Sequence, residues 1–273
     1  MAKIIVCVSD SHIGSTMGLC PLEGLPLPDG GRYIPNRFQA TLWRFWEDFW
    51  VEFAPRHIKR RDDVTIVVNG DLIEGVHHRM VGIVTNNLQK QEGGAIQVYK
   101  SLPIKYHRLY VVRGSEAHSA PGAESEEIIS AAIGAEANEI GEYSSWQLWL
   151  DLDGVLFQFA HHIGVTSSAA YESSAPMREM VAGMIDAAQW GRKIPNVFVR
   201  SHRHRFIEVP LATENGRIRC VITPSWQLRT PHVERIDRMR MPHCGGVLFK
   251  IENGQCQVLE KLYRLPEPEP VVI

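Results

Sequence analysis

The chain has 273 residues, 44% of them hydrophobic, which is enough to bury the core of one compact domain. Its formal net charge of −2 at neutral pH excludes a protein that coats nucleic acid or an anionic membrane through bulk charge, so any polyanion must bind locally. No apolar run approaches the ~20 residues of a membrane-spanning helix, and the apolar amino-terminal stretch is too short for a signal peptide.

The five cysteines are scattered along the chain and form no Cys-x-x-Cys pair. This spacing argues against a disulfide framework and against a thiolate zinc site. We therefore expect reduced, mostly buried thiols in a soluble, cytoplasmic protein with no membrane partner.

The amino-terminal part alternates predicted strands and helices. Residues 4–8 form an apolar, β-branched run that is typical of a strand buried on both faces. The proline- and glycine-rich stretch 21–35 predicts a loop long enough to shape a site. Asn36 is the expected N-cap of a helix whose aromatic stripe runs to Phe53, and 64–71 is a second buried-strand run.

The next elements repeat this alternation and then give way to hairpins. A helix is predicted over 85–101, followed by a strand that leads into the segment RGSEAH at 113–118. Another helix is predicted over 124–134. The dipeptides Asp-Gly at 153–154 and Asn-Gly at 253–254 indicate two-residue hairpin turns.

Three more elements complete the prediction. A helix is expected from Ser174 to about Trp190. The stretch 196–205 is typical of a strand followed by histidines, and 217–225 of a further strand. We expect a single domain over 1–265 and an extended tail over 266–273.

Polar residues follow five predicted strands at the point where each strand ends. They are Asp10 and His12, Asp71, Glu116 and His118, His161 and His162, and His202 and His204. A lone histidine or aspartate at a strand end is more often a turn former than a ligand. Five such strand ends in one chain favour a shared site, because open α/β sheets bind ligands at this edge.

The residue types in this set indicate a metal centre. Aspartate oxygens and imidazole nitrogens suit borderline divalent ions such as Mn²⁺, Fe²⁺ and Zn²⁺. Six or more ligands are enough for two ions about 3.5–4 Å apart with one carboxylate between them. Such a pair can hold a hydroxide nucleophile and neutralise a phosphoryl group, so phosphoester hydrolysis is the natural use.

In their order along the chain, these motifs resemble those of the calcineurin-like metallophosphoesterase superfamily. The matching motifs are Asp10-Ser-His12, Gly70-Asp71, the Gly114 loop with His118, His161, and His202-Arg-His204. The resemblance spans residues 4–205. The sequence of the motifs is similar to that of an atypical, bacteriophage-type subset of the superfamily. It implies an α/β fold, a four-layer α-β-β-α sandwich of two mixed sheets flanked by helices.

The resemblance also implies roles for individual residues. The first metal ion would be held by Asp10, His12 and His204. Asp71 would bridge the two ions, and His161 and His202 would hold the second ion. Mn²⁺ is the expected ion, with Fe²⁺ or Zn²⁺ as alternatives.

The sequence departs from the family pattern at two positions. The family has an asparagine ligand and then a histidine directly after the glycine, whereas this chain has GSEAH. We predict that Glu116 replaces the asparagine as a metal ligand and that His118 is the catalytic imidazole, which stabilises the phosphate or protonates the leaving group. The alternative for Glu116 is a helix cap or a local salt bridge. Ser201 stands where a glycine usually precedes the last motif.

Other candidates are weaker. Either His161 or His162 could face inward, and His161 is favoured because it directly ends its strand. His78 and Arg203 are predicted substrate contacts, although an exposed turn histidine and a solvated arginine are the alternatives. A local excess of positive charge over 229–240 is consistent with a phosphate-lined groove.

The resulting hypothesis is a dinuclear metal-dependent phosphoesterase that hydrolyses a phosphomonoester or a phosphodiester through a metal-bridging hydroxide. A nuclease or nucleotide phosphodiesterase is the alternative within the same class, with a nucleotide or nucleic acid as substrate. A non-catalytic protein-binding scaffold with a degenerate metal site is the alternative from another class. The residues leave the natural substrate and the oligomeric state open.

Overall fold

A computed structural model describes residues 1–77, 81–164, 166, 168–214, 216–236 and 241–265. The expected tail at 266–273 and the candidate His78 lie outside these residues. The prediction of one domain over 1–265 stays a prediction.

The described part of the chain contains thirteen strands. They are β1 (Lys3–Val8), β2 (Leu25–Pro26), β3 (Arg32–Tyr33), β4 (Asp63–Asn69), β5 (Arg108–Val112), β6 (Ser144–Ser145), β7 (Leu148–Leu152), β8 (Val155–Phe159), β9 (Val197–Arg200), β10 (Ile207–Thr213), β11 (Gly216–Ile222), β12 (Cys244–Glu252) and β13 (Gln255–Tyr263).

Seven α-helices accompany these strands within the described residues. They are α1 (Arg37–Asp48), α2 (Ala54–His57), α3 (Leu88–Lys100), α4 (Glu116–Ser119), α5 (Glu124–Ile133), α6 (Ser174–Trp190) and α7 (Pro231–Ile236). Asn36 caps α1 as expected, and Gln39 completes a capping box by accepting a bond from Asn36 N at 3.1 Å. A π-helical turn at Phe49–Phe53 joins α1 to α2, so the aromatic stripe continues without a break.

Two large mixed sheets organise the molecule. The first has the order β13-β12-β1-β4-β5-β6, in which β1, β4, β5 and β6 run parallel and β12 and β13 pair antiparallel. The second has the order β10-β11-β9-β8-β7, with a parallel centre and antiparallel edges. In both sheets the parallel strands point their carboxyl ends in one direction, as a shared site requires.

Three apolar clusters show how the layers stack. One cluster lies between the sheets and joins side chains of both, such as Ile5, Val67, Phe157 and Phe249. A second covers the outer face of the first sheet with α1, α3 and α5. A third places Met180 of α6 against the outer face of the second sheet. The predicted four-layer α-β-β-α sandwich of two mixed sheets is therefore confirmed.

Local differences from the predictions are few. The 21–35 stretch is mostly loop, as predicted, but β2 and β3 form a small hairpin within it, whose buried Leu25 packs on α3. The strand β10 was not predicted. Four of the five cysteines are buried, and all five are free thiols. Within the described residues, every helix falls short of the length and hydropathy that a membrane crossing requires.

Candidate metal centre

The carboxyl ends of β1 and β4 continue side by side into the loops that carry the candidate ligands. Asp10 N donates to Gly70 O at 3.0 Å, and His12 N donates to Asp71 O at 3.1 Å. Because these bonds extend the parallel pairing beyond the strands, Asp10 and Asp71 lie next to each other. His161 follows β8, and His202 and His204 follow β9, so the second sheet contributes from the opposite side.

Five of the candidate ligands have a left-handed backbone. Their φ angles lie between 45° and 69°, at Asp10, His12, Asp71, His202 and His204. Such angles are uncommon for residues other than glycine and are strained. The surrounding hydrogen bonds hold these residues in a conformation that turns their side chains toward one centre.

One cluster of ligand atoms is formed by Asp10, His12 and His204, whose ligand atoms all lie within 4.8 Å of one another. His204 Nε2 is 3.3 Å from Asp10 Oδ1, and it is 3.2 Å from His12 Nε2. Asp10 and His12 are buried, whereas His204 is partly exposed. This cluster offers one carboxylate and two imidazoles.

A second cluster is formed by Asp71, His161 and His202. His161 Nε2 lies 3.1 Å from Asp71 Oδ2, and His202 Nδ1 lies 3.9 Å from the same oxygen. The two clusters adjoin, because Asp71 Oδ2 is also 3.9 Å from His12 Nε2. Asp71 is thus placed between the two groups of imidazoles.

The donor set fits divalent cations. Within the described residues, Asp10 Oδ1 and His161 Nε2 are buried polar atoms with no hydrogen-bond partner. Buried polar atoms are normally satisfied, so two that face the same centre indicate a missing partner of positive charge. Oxygen and imidazole nitrogen together suit Mn²⁺, Fe²⁺ or Zn²⁺.

The charges of the two clusters are strongly interdependent. Burial alone would raise the pKa of Asp10, but His204 and His161 lower it to about 2. Burial likewise opposes ionisation of Asp71, yet His161 and His202 bring its pKa well below the ordinary value. Burial would lower the pKa of His161, but the charges of Asp71 and Asp10 raise it to about 10. Both carboxylates are therefore ionised and ready to bind a cation.

Backbone and carboxylate partners fix the orientation of the histidines. His161 Nδ1 donates to Asn69 O at 2.7 Å, which leaves Nε2 directed at Asp71. His12 Nδ1 lies 3.1 Å from Glu74 Oε2, which leaves its Nε2 directed at His204. Such outer contacts set the tautomer of a metal-binding histidine.

Glu74 also connects the site to His118. His118 Nδ1 donates to Glu74 O at 2.6 Å, and the His118 ring stands edge-on to the His12 ring. Glu74 Oε1 lies 3.2 Å from His77 Nε2, and Gln227 donates to Glu74 Oε2 at 2.9 Å. Burial would raise the pKa of Glu74, but its contacts with His12 and His77 lower it to about 2.

A buried chain of hydroxyls lies beneath the two clusters. Ser9 Oγ donates to Asp10 Oδ2 at 2.6 Å and contacts Thr223 Oγ1 at 2.7 Å. Thr223 Oγ1 contacts Ser201 Oγ at 2.7 Å, and Ser201 Oγ accepts from Asn69 Nδ2 at 2.6 Å. The hydroxyl of Ser201, where the family has glycine, therefore links the two sheets under the site.

No protein-family model and no curated protein sequence matches the chain. Solved structures that align with nearly its whole length include two Vps29 proteins and a metallophosphoesterase. A Vps29 double mutant from Entamoeba histolytica is 10% identical, with 96% of this chain and 99% of that chain covered, at a TM-score of 0.37. Vacuolar Protein Sorting 29 from Cryptosporidium parvum is 9% identical, with 96% and 98% covered, at a TM-score of 0.38.

The third structure is a metallophosphoesterase from Sphaerobacter thermophilus, 9% identical, with 96% of this chain and 89% of that chain covered, at a TM-score of 0.39. At such low similarity, the chemistry of the site itself has to indicate the function.

The structure does not place Glu116 with the other candidates. Glu116 is exposed at the first position of α4 and belongs to none of the ligand clusters found among the described residues. The residue that reaches the centre from this loop is Ser115, whose Oγ lies 3.1 and 3.2 Å from the two carboxylate oxygens of Asp71. The prediction for Glu116 is corrected accordingly: α4 begins at this residue, which turns its side chain outward.

The remaining candidates are placed as follows. His161 is buried in the second cluster, whereas His162 is exposed and stacks edge-on against His202. Arg203 donates from Nη1 to Gly164 O at 3.0 Å and from Nη2 to Thr166 Oγ1 at 3.2 Å. Its guanidinium is therefore anchored beside His202 and His204.

The sequence did not identify three residues of the site, Glu74, Ser115 and Glu126. Glu74 follows Asp71 by three positions, and this short spacing was the available signal. Ser115 directly follows Gly114, in the place of the family's asparagine. Glu126 is one of three glutamates in the first turn of α5, a position where acidic residues are common for dipole reasons alone.

Proposed function

We propose that this chain is a dinuclear metal-dependent phosphoesterase that hydrolyses a phosphomonoester or a phosphodiester. The observation that supports the proposal best is the pair of adjoining ligand clusters, built from both sheets with Asp71 between them. Two bound divalent ions, Mn²⁺ by preference, would polarise a phosphoryl oxygen and lower the pKa of a bound water. Asp10, His12 and His204 would hold one ion, and Asp71, His161 and His202 the other.

His118 is the proposed catalytic imidazole, and its surroundings define what it can do. Its Nδ1 must carry a proton, because its partner is the carbonyl oxygen of Glu74. Burial, together with the charge of His12, lowers the pKa of His118 to about 4. Near neutral pH its Nε2 therefore accepts a hydrogen bond, and it has to take up a proton before it can deliver one to a leaving oxygen.

Arg203 is the proposed substrate contact on the side of the second sheet. Its hydrogen bonds to Gly164 O and Thr166 Oγ1 fix the guanidinium beside His202 and His204. A planar guanidinium binds two phosphate oxygens at once, which would orient the ester for in-line attack. The second proposed contact, His78, lies outside the described residues.

The test combines metal analysis with two chromogenic substrates. We expect the purified protein to contain about two ions per chain, to lose activity on chelation and to regain it with Mn²⁺. Bis(p-nitrophenyl) phosphate and p-nitrophenyl phosphate distinguish a diesterase from a monoesterase. Asp71→Asn should weaken metal binding and abolish turnover, whereas the matched change Asp186→Asn, at an exposed position of α6, should alter neither.

Two outcomes decide the matter. A folded protein that binds no divalent ion would contradict the proposal and favour the scaffold alternative. Faster turnover of the diester would direct the search to nucleotide and nucleic-acid substrates, as in the nuclease alternative.

A further inference from the structure

Glu126 is a fully buried glutamate beneath the candidate metal centre. It lies in the first turn of α5 and has no exposed surface. Its Oε1 accepts a hydrogen bond from Asp71 N at 3.0 Å, and its Oε2 accepts one from Gly114 N at 2.6 Å. One side chain therefore joins the loop that follows β4 to the loop that follows β5.

The loop that follows β5 holds the carboxylate of Asp71 in turn. Ser115 N donates to Asp71 Oδ1 at 2.7 Å, and Ser115 Oγ donates to the same carboxylate. Gly114 allows this approach, because a Cβ at that position would collide with Asp71 Oδ1 and with Asp71 N. The position of the Asp71 carboxylate thus depends on Ser115, and the position of Ser115 depends on Glu126.

This contact requires a side chain with two oxygens that both accept hydrogen bonds. Both partners of Glu126 are backbone N–H groups, so both of its oxygens must accept. A glutamine would direct its NH₂ group at one N–H and leave that buried donor without an acceptor. The backbone of Glu126 is also held in place within α5, because Ser130 Oγ donates to Glu126 O at 2.6 Å.

We propose that Glu126 is a positioning residue of the metal centre, which sets the place of the Asp71 carboxylate through Gly114 and Ser115. This inference rests on the proposed function, because it takes Asp71 as a metal ligand. Outer residues that orient ligands typically contribute about 10–100-fold to metal affinity. Glu126 touches no candidate ligand atom directly and acts through the two loops.

The test compares Glu126→Gln with the matched control Glu92→Gln. Glu92 is a buried glutamate of α3 that accepts a bond from Ser125 Oγ at 2.7 Å, on the interface between α3 and α5. Calorimetric titration of each metal-free protein with Mn²⁺ gives the stoichiometry and affinity, and the visible spectrum of the Co²⁺ form reports the ligand geometry. We expect Glu126→Gln to bind about 10–100-fold more weakly, with an altered Co²⁺ spectrum, and Glu92→Gln to bind as wild type.

The possible results are distinct. Wild-type affinity and spectrum in Glu126→Gln overturn the inference and leave the proposed function standing. A wild-type protein that binds no Mn²⁺ overturns both. If Glu126→Gln does not fold, Ser115→Ala replaces it, because loss of the hydroxyl should weaken binding by the same route, and unchanged affinity in that variant also overturns the inference.

Discussion

Asp71 and His161 form a closely spaced pair in the interior of the site. Their side chains are 3.1 Å apart and fully buried, and the attraction between them raises the pKa of the imidazole, which keeps it protonated at neutral pH. A metal ion needs the neutral imidazole, so an ion that binds here must displace this proton. The ion and the proton therefore compete for the same nitrogen.

We predict that Mn²⁺ binding releases about one proton from His161 at neutral pH and that the apparent affinity rises with pH. The direction follows from the raised pKa of about 10, which keeps His161 protonated between its ordinary pKa of 6.5 and about pH 10. Calorimetric titration in two buffers with different ionisation enthalpies measures the release. His161→Gln should weaken the buffer dependence and His162→Gln should keep it. Equal heats in both buffers for wild type would contradict the prediction.

Ser201 links the sheets under the site through one hydroxyl. We predict that Ser201→Ala destabilises the metal-free protein by about 1–3 kcal/mol, because Asn69 Nδ2 and Thr223 Oγ1 each lose a buried partner. Urea unfolding measures the change. The control is Ser173→Ala at an exposed position that makes no capping bond, where a change within about 0.5 kcal/mol is expected. Equal stability of the two variants would count against the hydroxyl chain.

At the scale of single residues, the sequence predicts the candidate ligands better than it predicts the residues that hold those ligands in position. Strand ends are visible in the sequence, so the residue order alone places Asp10, Asp71 and His161 at the carboxyl ends of predicted strands. It does not place Glu126, because only tertiary packing decides whether a glutamate in a first helical turn faces water or a buried loop. The prediction for Glu116 is wrong because the sequence did not reveal that α4 begins at this residue and leaves its side chain exposed.

The aromatic face of α1 is the main anchor of the first helical layer. Trp46 stands edge-on to Trp226 with ring centroids 4.9 Å apart, and Phe49 contacts the same indole at 5.7 Å. Trp226 N donates to Asp10 O at 3.0 Å. The helix therefore supports the loop that carries Asp10 through one buried tryptophan.

We predict that Trp226→Ala lowers the free energy of unfolding by about 3–5 kcal/mol, because it removes a fully buried side chain and leaves a cavity. Chemical denaturation followed by circular dichroism gives the value. Trp190→Ala is the control, since that indole is 69% exposed at the end of α6 and should change stability by about 0.5 kcal/mol or less. Similar losses in both variants would show that the cluster around Trp46 contributes little.

Most elements follow from hydrophobic period and turn chemistry, and the misses have identifiable causes. The strand β10 alternates in burial but contains Pro210 at its centre, and proline demotes a strand prediction. It is tolerated because β10 is an edge strand. The short helix α4 sits in a loop too brief for a periodic signal.

At the scale of the whole molecule, the candidate ligands come from both sheets. Asp10 and Asp71 belong to the first sheet, whereas His161, His202 and His204 belong to the second. The apolar layer between the sheets already joins them, and bound ions would add a second connection at one edge. Metal binding and global stability should therefore be coupled.

We predict that saturating Mn²⁺ raises the melting temperature relative to the chelated protein. At a free concentration of about 100 times the dissociation constant, one bound ion stabilises by about 2.7 kcal/mol, which corresponds to roughly 5–10 °C. Differential scanning calorimetry measures the shift. Asp71→Asn should show a smaller shift and Asp186→Asn should match wild type. A wild-type melting temperature that changes with neither Mn²⁺ nor chelator would refute the coupling.

The left-handed backbone at five candidate ligands bears on how this chain came to keep its sequence. Glycine adopts those angles without steric strain, so Asp10 and Asp71 keep their side chains there at a conformational cost. Carboxylates and imidazoles occupy these strained backbone positions instead. Selection for a working metal centre would favour this choice of residues.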